Sequence, residues 1–96
     1  MPTQITQIDD EINRTTICRV EGELFAADAV LLQKITRDLH KSTGNSIVID
    51  LADLDFLDSE SAPTLLDLQR NDGFEIIGTE IFLQTIVNEA ERRMMS

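Results

Sequence analysis

Between Ile47 and Ser61 the chain reads IVIDLADLDFLDSES, and Ala62-Pro63-Thr64 then opens a helix. An apolar run therefore ends in an acidic, serine-bearing turn at a helix N-terminus, the strand-turn-helix step from which α/β folds are built. Unpaired backbone N–H groups and the positive end of the helix dipole converge at such a turn, and α/β folds place ligands or modifiable groups there. Asp58, Ser59, Glu60 and Ser61 fill four consecutive positions of it.

The flanking segments supply the rest of such a fold. Thr15 to Leu24 alternates, with Thr16, Cys18 and Val20 on one face and Ile17, Arg19 and Glu21 on the other, the pattern of a half-buried strand. Thr3 to Ile8 is a weaker strand, because Ile5 and Ile8 do not alternate cleanly, and the polar stretch from Asp9 to Arg14 suits a hairpin between the two. Gly22 marks a bulge or a close backbone approach. A first helix is predicted from Ala27 or Asp28 to Lys41. Leu31, Ile35 and Leu39 form its apolar stripe, Leu32 widens it, and Lys34, Arg37 and Asp38 point away. Asp28 caps or charges its start, and Gly44 lies just past its end. Ile47 to Leu51 is a short central strand. Ala62 to Arg70 is a brief helix carrying Leu65, Leu66 and Leu68, broken by Asn71-Asp72-Gly73. Phe74 to Ile77 is a short strand, and Thr79 caps a last helix reaching about Arg92, with Phe82, Leu83, Ile86, Val87 and Ala90 along one face. Strands alternating with helices make right-handed crossovers. The prediction is an α/β fold: a small mixed, mostly parallel sheet with an N-terminal antiparallel hairpin and about three helices.

Composition narrows what such a fold can do. Ninety-six residues make one domain, 1–96, with residues 92–96 as a frayed tail. With 42% apolar residues and no Trp or Tyr, the core must be aliphatic. A formal charge of −10 argues against nucleic acid, which demands a basic face, and against an anionic membrane surface. An electropositive protein surface is the natural partner. Cys18 is the only cysteine, which excludes a disulfide framework and a cysteine-based metal site and fits a reducing compartment. The N-terminal MPTQITQIDDE has neither the basic start nor the apolar stretch of a signal peptide, and no run reaches membrane-spanning length. The chain reads as cytoplasmic, without cofactor, metal or direct membrane insertion. Its sequence leaves self-association open.

Two local sequences, in this order of elements, resemble the STAS domain, the module of bacterial anti-sigma factor antagonists and of sulfate-transporter tails. Gly22-Glu23-Leu24 is similar to the Gly-Glu-Leu that follows the second strand of that family. The segment Ile47 to Ser59 is similar to its apolar strand followed by Phe-(apolar)-Asp-Ser, here Phe56-Leu57-Asp58-Ser59. The resemblance spans roughly Ile5 to Ala90. It implies that Ser59, directly after Asp58, is the serine phosphorylated in antagonists by a partner kinase that is also the anti-sigma factor. The unphosphorylated form would bind and the phosphorylated form would be released. It also implies a partner-binding surface at Asp58, Ser59, Glu60, Ser61 and Thr64. The chain departs from the family pattern in the same turn, with Glu60, Ser61, Ala62 and Pro63 where another Ser or Thr and then Gly-Leu-Gly are common. The helix that follows is about two turns shorter than usual. Phe25 stands where many antagonists carry an aspartate.

Simpler roles compete at each of these positions. Ser59 could merely cap the following helix, and Ser61 competes for that task because Pro63 would then fall in the first turn. Asp50, Asp53, Asp55, Asp58, Glu60 and Asp67 occur in a span without a basic residue. That run is either a solvated surface or a face for an electropositive partner. Asp53, Asp55 and Asp58 lack the glycine and distal glutamate of a calcium loop. A hydrolase built on Ser59 would need His40, the only histidine, as its base. A subunit that scaffolds a transporter ATPase or a stress-signalling complex without phosphorylation is the alternative to the antagonist.

Overall fold

The computed structural model describes residues 3–78. In chain order it contains β1 (Gln4–Asp10), β2 (Thr15–Leu24), α1 (Ala26–Thr43), β3 (Ser46–Asp50), β4 (Leu54–Leu57), a 3-10 turn (Ser59–Ser61), α2 (Ala62–Arg70) and β5 (Glu75–Ile77). The last helix expected from Thr79 and the tail at 92–96 lie outside the described residues, so two of the three expected α-helices are seen.

The sheet is mixed, as its sequence pattern predicts. β1 pairs antiparallel with β2 in an unbroken register from Gln4 opposite Glu21 to Asp10 opposite Thr15. The hairpin turn takes residues 11–14, with Asn13 bonded to the Asp10 carboxylate. β3 runs parallel to the first half of β2, and β5 runs parallel to β3.

One strand was not anticipated. β4 pairs in parallel with the far end of β2, Gly22 opposite Leu54 and Leu24 opposite Leu57. β3 and β4 are thus two pieces laid along one neighbour, interrupted at residues 51–53. The interruption is held by backbone bonds, Leu51 N–H to Ile77 O (3.0 Å) and Leu54 N–H to Leu51 O (3.2 Å), and by Ala52 N–H donating to the Asp50 carboxylate at 3.0 Å. Gly22, with φ 83°, sits where the β2–β4 register shifts; the bulge costs little there because glycine alone enters that region freely.

β2 alternates over its whole length, burying Thr16, Cys18, Val20 and Leu24. Cys18, Val20 and Leu24 meet Ile47 and Ile49 of β3, Leu57 of β4, and Leu65 and Leu68 of α2 in one hydrophobic core. Burial of each large aliphatic side chain is worth roughly 1.5–3 kcal/mol. α1 corrects the expected stripe. Leu31 is 51% exposed, and the buried residues are Ala29, Leu32 and Thr36. The helix is rotated toward Leu32 because Thr36 can enter the core, its hydroxyl donating to Leu32 O at 2.8 Å and so leaving no polar group unsatisfied. At its start Phe25 is the N-cap, and the Asp28 carboxylate accepts the Phe25 N–H at 3.1 Å. At its end Gly44 donates to His40 O.

Candidate functional site

The serine turn is fastened to the end of β2 through one carbonyl. Leu24 O accepts the Asp58 N–H at 2.9 Å and the Ser61 hydroxyl at 3.1 Å. Between these anchors the chain makes its 3-10 turn, with Ser61 N–H returning to Asp58 O at 2.9 Å. Leu57 beneath it is 4% exposed, so the apolar end of β4 sets the height of the turn above the core.

The four turn residues then divide. Asp58, in extended backbone, caps the turn, its carboxylate accepting the Glu60 N–H at 3.3 Å. Neither serine caps. Ser61 occupies the N-cap position of α2, but its backbone is helical and its hydroxyl points down to Leu24 O. Ser61, which the resemblance places at the partner surface, is fully buried. Ser59 is half-buried, and its hydroxyl makes no hydrogen bond among the described residues. Glu60 is exposed and Thr64 partly exposed. Pro63 lies in the first turn of α2, where its missing N–H is no loss.

The acidic run also divides. Asp50 and Asp53 face Arg19, whose Nε lies 3.6 and 3.7 Å from their carboxylates. These separations are too long for hydrogen bonds and leave a coulombic pairing worth about 0–1 kcal/mol at a surface. Asp67 and Asp72 take Arg37 at 3.1 and 2.6 Å, tying α1 to the end of α2 and holding the guanidinium pKa above its usual value through the bond to Asp72 first. Asp55, Asp58 and Glu60 have no ion pair among the described residues. Within the run from Asp50 to Asp67, the carboxylates without an ion pair are thus the three nearest Ser59 in sequence.

The remaining candidates lie elsewhere. His40 Nδ1 sits 2.8 Å from Asn45 O, and its ring meets Phe74 edge-on at 5.4 Å. It is near the far end of α1, whose start abuts the serine turn. Fifteen residues of helix from Phe25 to His40 span roughly 22 Å, so the structure does not bring His40 to Ser59. Cys18 is buried in the core, and burial pushes its thiol pKa up. Sequence reasoning missed one feature of the site. Phe25 and Phe56 are 45% and 46% exposed, with ring centroids 5.5 Å apart and planes at 44°. The only signal was the phenylalanine after Gly-Glu-Leu.

No described helix is long and apolar enough to cross a membrane. A search of curated proteins gives no match. Among solved structures, an anti-sigma factor antagonist STAS domain from Rhodobacter sphaeroides is 26% identical, with a TM-score of 0.59 over 80% of this chain and 87% of that one. The unphosphorylated anti-sigma factor antagonist SpoIIAA has the same fold, at 19% identity and a TM-score of 0.54 over 78% of this chain and 69% of that one. The STAS domain model matches residues 5–93. With the β1–β2 hairpin, the parallel crossovers and the serine turn at the start of α2 in their places, this chain belongs to the STAS domain family.

Proposed function

We propose that this protein is a regulatory binding module of the anti-sigma factor antagonist type, acting in the cytoplasm, and that phosphorylation of Ser59 switches it. The observation that carries the reading is the division of labour between the two serines. Ser61 is buried and bonded to Leu24 O, whereas the Ser59 hydroxyl is unbonded among the described residues, directly after the Asp58 cap. The likeness to two antagonist structures supports the same reading.

The chemistry of the switch follows from charge. A phosphoserine adds about −1.5 to −2 charges at pH 7. Here it would join Asp55, Asp58 and Glu60, which have no counter-charge among the described residues. A partner that docks on this turn must already offer basic groups to three carboxylates. Raising the local charge by half or more changes what the partner must desolvate and match, and a charge buried at an interface without a matched partner is costly. The partner is an anti-sigma factor or serine kinase with a basic surface, contacting Asp58, Ser59, Glu60 and Thr64, with Ser61 setting the turn from below.

The test is a pull-down of native partners with wild type, Ser59→Ala and Ser59→Asp, followed by intact mass after incubation with the recovered kinase. Loss of the partner with Ser59→Asp alone, and a single phosphate added to wild type but not to Ser59→Ala, are the expected results. The exposed Glu60 favours a second reading, because a carboxylate already stands beside Ser59. On that reading the protein scaffolds an ATPase or stress-signalling complex constitutively, and all three variants recover the same partner equally.

A further inference from the structure

Phe25 and Phe56 present two half-exposed rings at the end of the sheet that carries Ser59. Exposed aromatic pairs of this kind mark contact sites more often than isolated apolar residues do. Two carboxylate residues are tied to the same corner of the fold through the backbone. Asp28 accepts the N–H of Phe25 itself. Asp58 donates its own N–H to the carbonyl preceding Phe25, and it lies two extended residues beyond Phe56, hence on the same side of the chain. Neither carboxylate has an ion pair among the described residues, whereas Asp50, Asp53, Asp67 and Asp72 do.

We propose that Phe25 and Phe56 form a platform for an arginine side chain of the protein partner, with Asp28 and Asp58 taking its charge. This rests on the reading of the serine turn as a partner surface and adds what the partner brings to it. An apolar side chain would cover the rings but leave the nearby charge of Asp28 and Asp58 without a counter-ion. A lysine supplies charge as a compact, strongly hydrated point. A guanidinium supplies charge together with a flat face that stacks on a ring and a fork that fits a carboxylate. Only arginine uses both halves of the site.

The test titrates isotope-labelled protein with the peptide amides acetyl-Ala-Arg-Ala-Arg-Ala, its lysine, citrulline and leucine counterparts, and follows the phenylalanine ring signals by NMR. Saturable shifts of the Phe25 and Phe56 rings are expected with the arginine peptide, while the buried Phe74 ring stays still and reports an intact fold. Its affinity should exceed that of the lysine peptide by about two- to fivefold, the range of an exposed cation–π contact, with citrulline and leucine weaker again. Phe25→Leu and Phe56→Leu should each lower the arginine-to-lysine ratio. Asp58→Asn should weaken both cationic peptides together. Unmoved Phe25 and Phe56 rings, equal affinity for arginine and lysine peptides, a ratio that survives both Phe→Leu changes, or tighter binding of the leucine peptide would each overturn the proposal. No kinase enters this titration. Failure of the Ser59 switch leaves its outcome intact, and an inert aromatic pair leaves the switch intact.

Discussion

Ser59 and Ser61 are two residues apart and should respond to the same substitutions to very different degrees. Ser61→Ala removes a hydroxyl that is fully buried and donates to Leu24 O at 3.1 Å. That carbonyl keeps its bond from Asp58 N–H at 2.9 Å, so no acceptor is orphaned and the loss is one ordinary hydrogen bond, about 0.5–1.5 kcal/mol. In a chain of this length about 1 kcal/mol lowers Tm by roughly 4–8 °C. Ser59→Ala removes a half-buried hydroxyl with no bond among the described residues, and should change stability by less than about 0.5 kcal/mol. Aspartate widens the gap. At position 61 it places a carboxylate in a dry site without a counter-charge, costing more than about 3 kcal/mol; at position 59 it stays at the surface. Urea unfolding followed by far-ultraviolet circular dichroism measures all four, and the slope with denaturant should stay constant in the two alanine variants. If Ser59→Ala costs more than Ser61→Ala, or Ser61→Asp folds as well as wild type, the geometry described for the turn is wrong.

Three further outcomes test the scaffold. Leu32→Ala should cost about 2–5 kcal/mol by opening the core, while Leu31→Ala, at a half-exposed neighbour, should cost well under 1 kcal/mol; thermal melts of the pair decide which face of α1 is buried. Gly78→Ala should destabilise by about 1–3 kcal/mol, because Gly78 has φ 70° and an added Cβ would fall 2.3 Å from Ala52 N; urea unfolding checks it, and a stability unchanged from wild type would contradict the close approach. Cys18 should react with a thiol reagent only on unfolding, since burial first, and the nearby Asp9 second, raise its pKa. A raised folded-state pKa means that this contribution is complete below the free-thiol value of about 9.0 and is lost as pH climbs through the folded value. Wild type should therefore lose more stability than Cys18→Ala between neutral and strongly alkaline pH, and parallel profiles would refute it.

Local pattern made much of this fold legible. β2 and α2 have the bounds that alternation and the Asn71-Asp72-Gly73 break predict, because each is specified by residues within itself. α1 was legible as a helix but not in its rotation. Val30, Leu31 and Leu32 are consecutive and all apolar, and the deciding residue is Thr36, which enters the core by bonding its own helix. β4 was hidden because LDFLD shows neither clean alternation nor an apolar run. It forms a strand through the far end of β2, about thirty residues away in sequence. The site followed the same rule. Its location could be read from the strand-to-helix turn and its Asp-Ser pair. The division between Ser59 and Ser61 depends on the Leu24 carbonyl, and the pairing of Arg19 with Asp50 and Asp53 depends on strand register. Neither leaves a mark in the local sequence.

The break between β3 and β4 has a mechanical meaning. Because each piece pairs with its own stretch of β2, the short piece can peel away while the long one stays zipped, giving the serine end an opening equilibrium separate from global unfolding. An enzyme that must draw Ser59 into its own active site would then work against the three-pair β4 ladder, two bonds to Leu24 and the core burial of Leu54 and Leu57. The body of the protein would act as the handle by which a partner holds it, and β4 with its turn as the hinged latch it lifts.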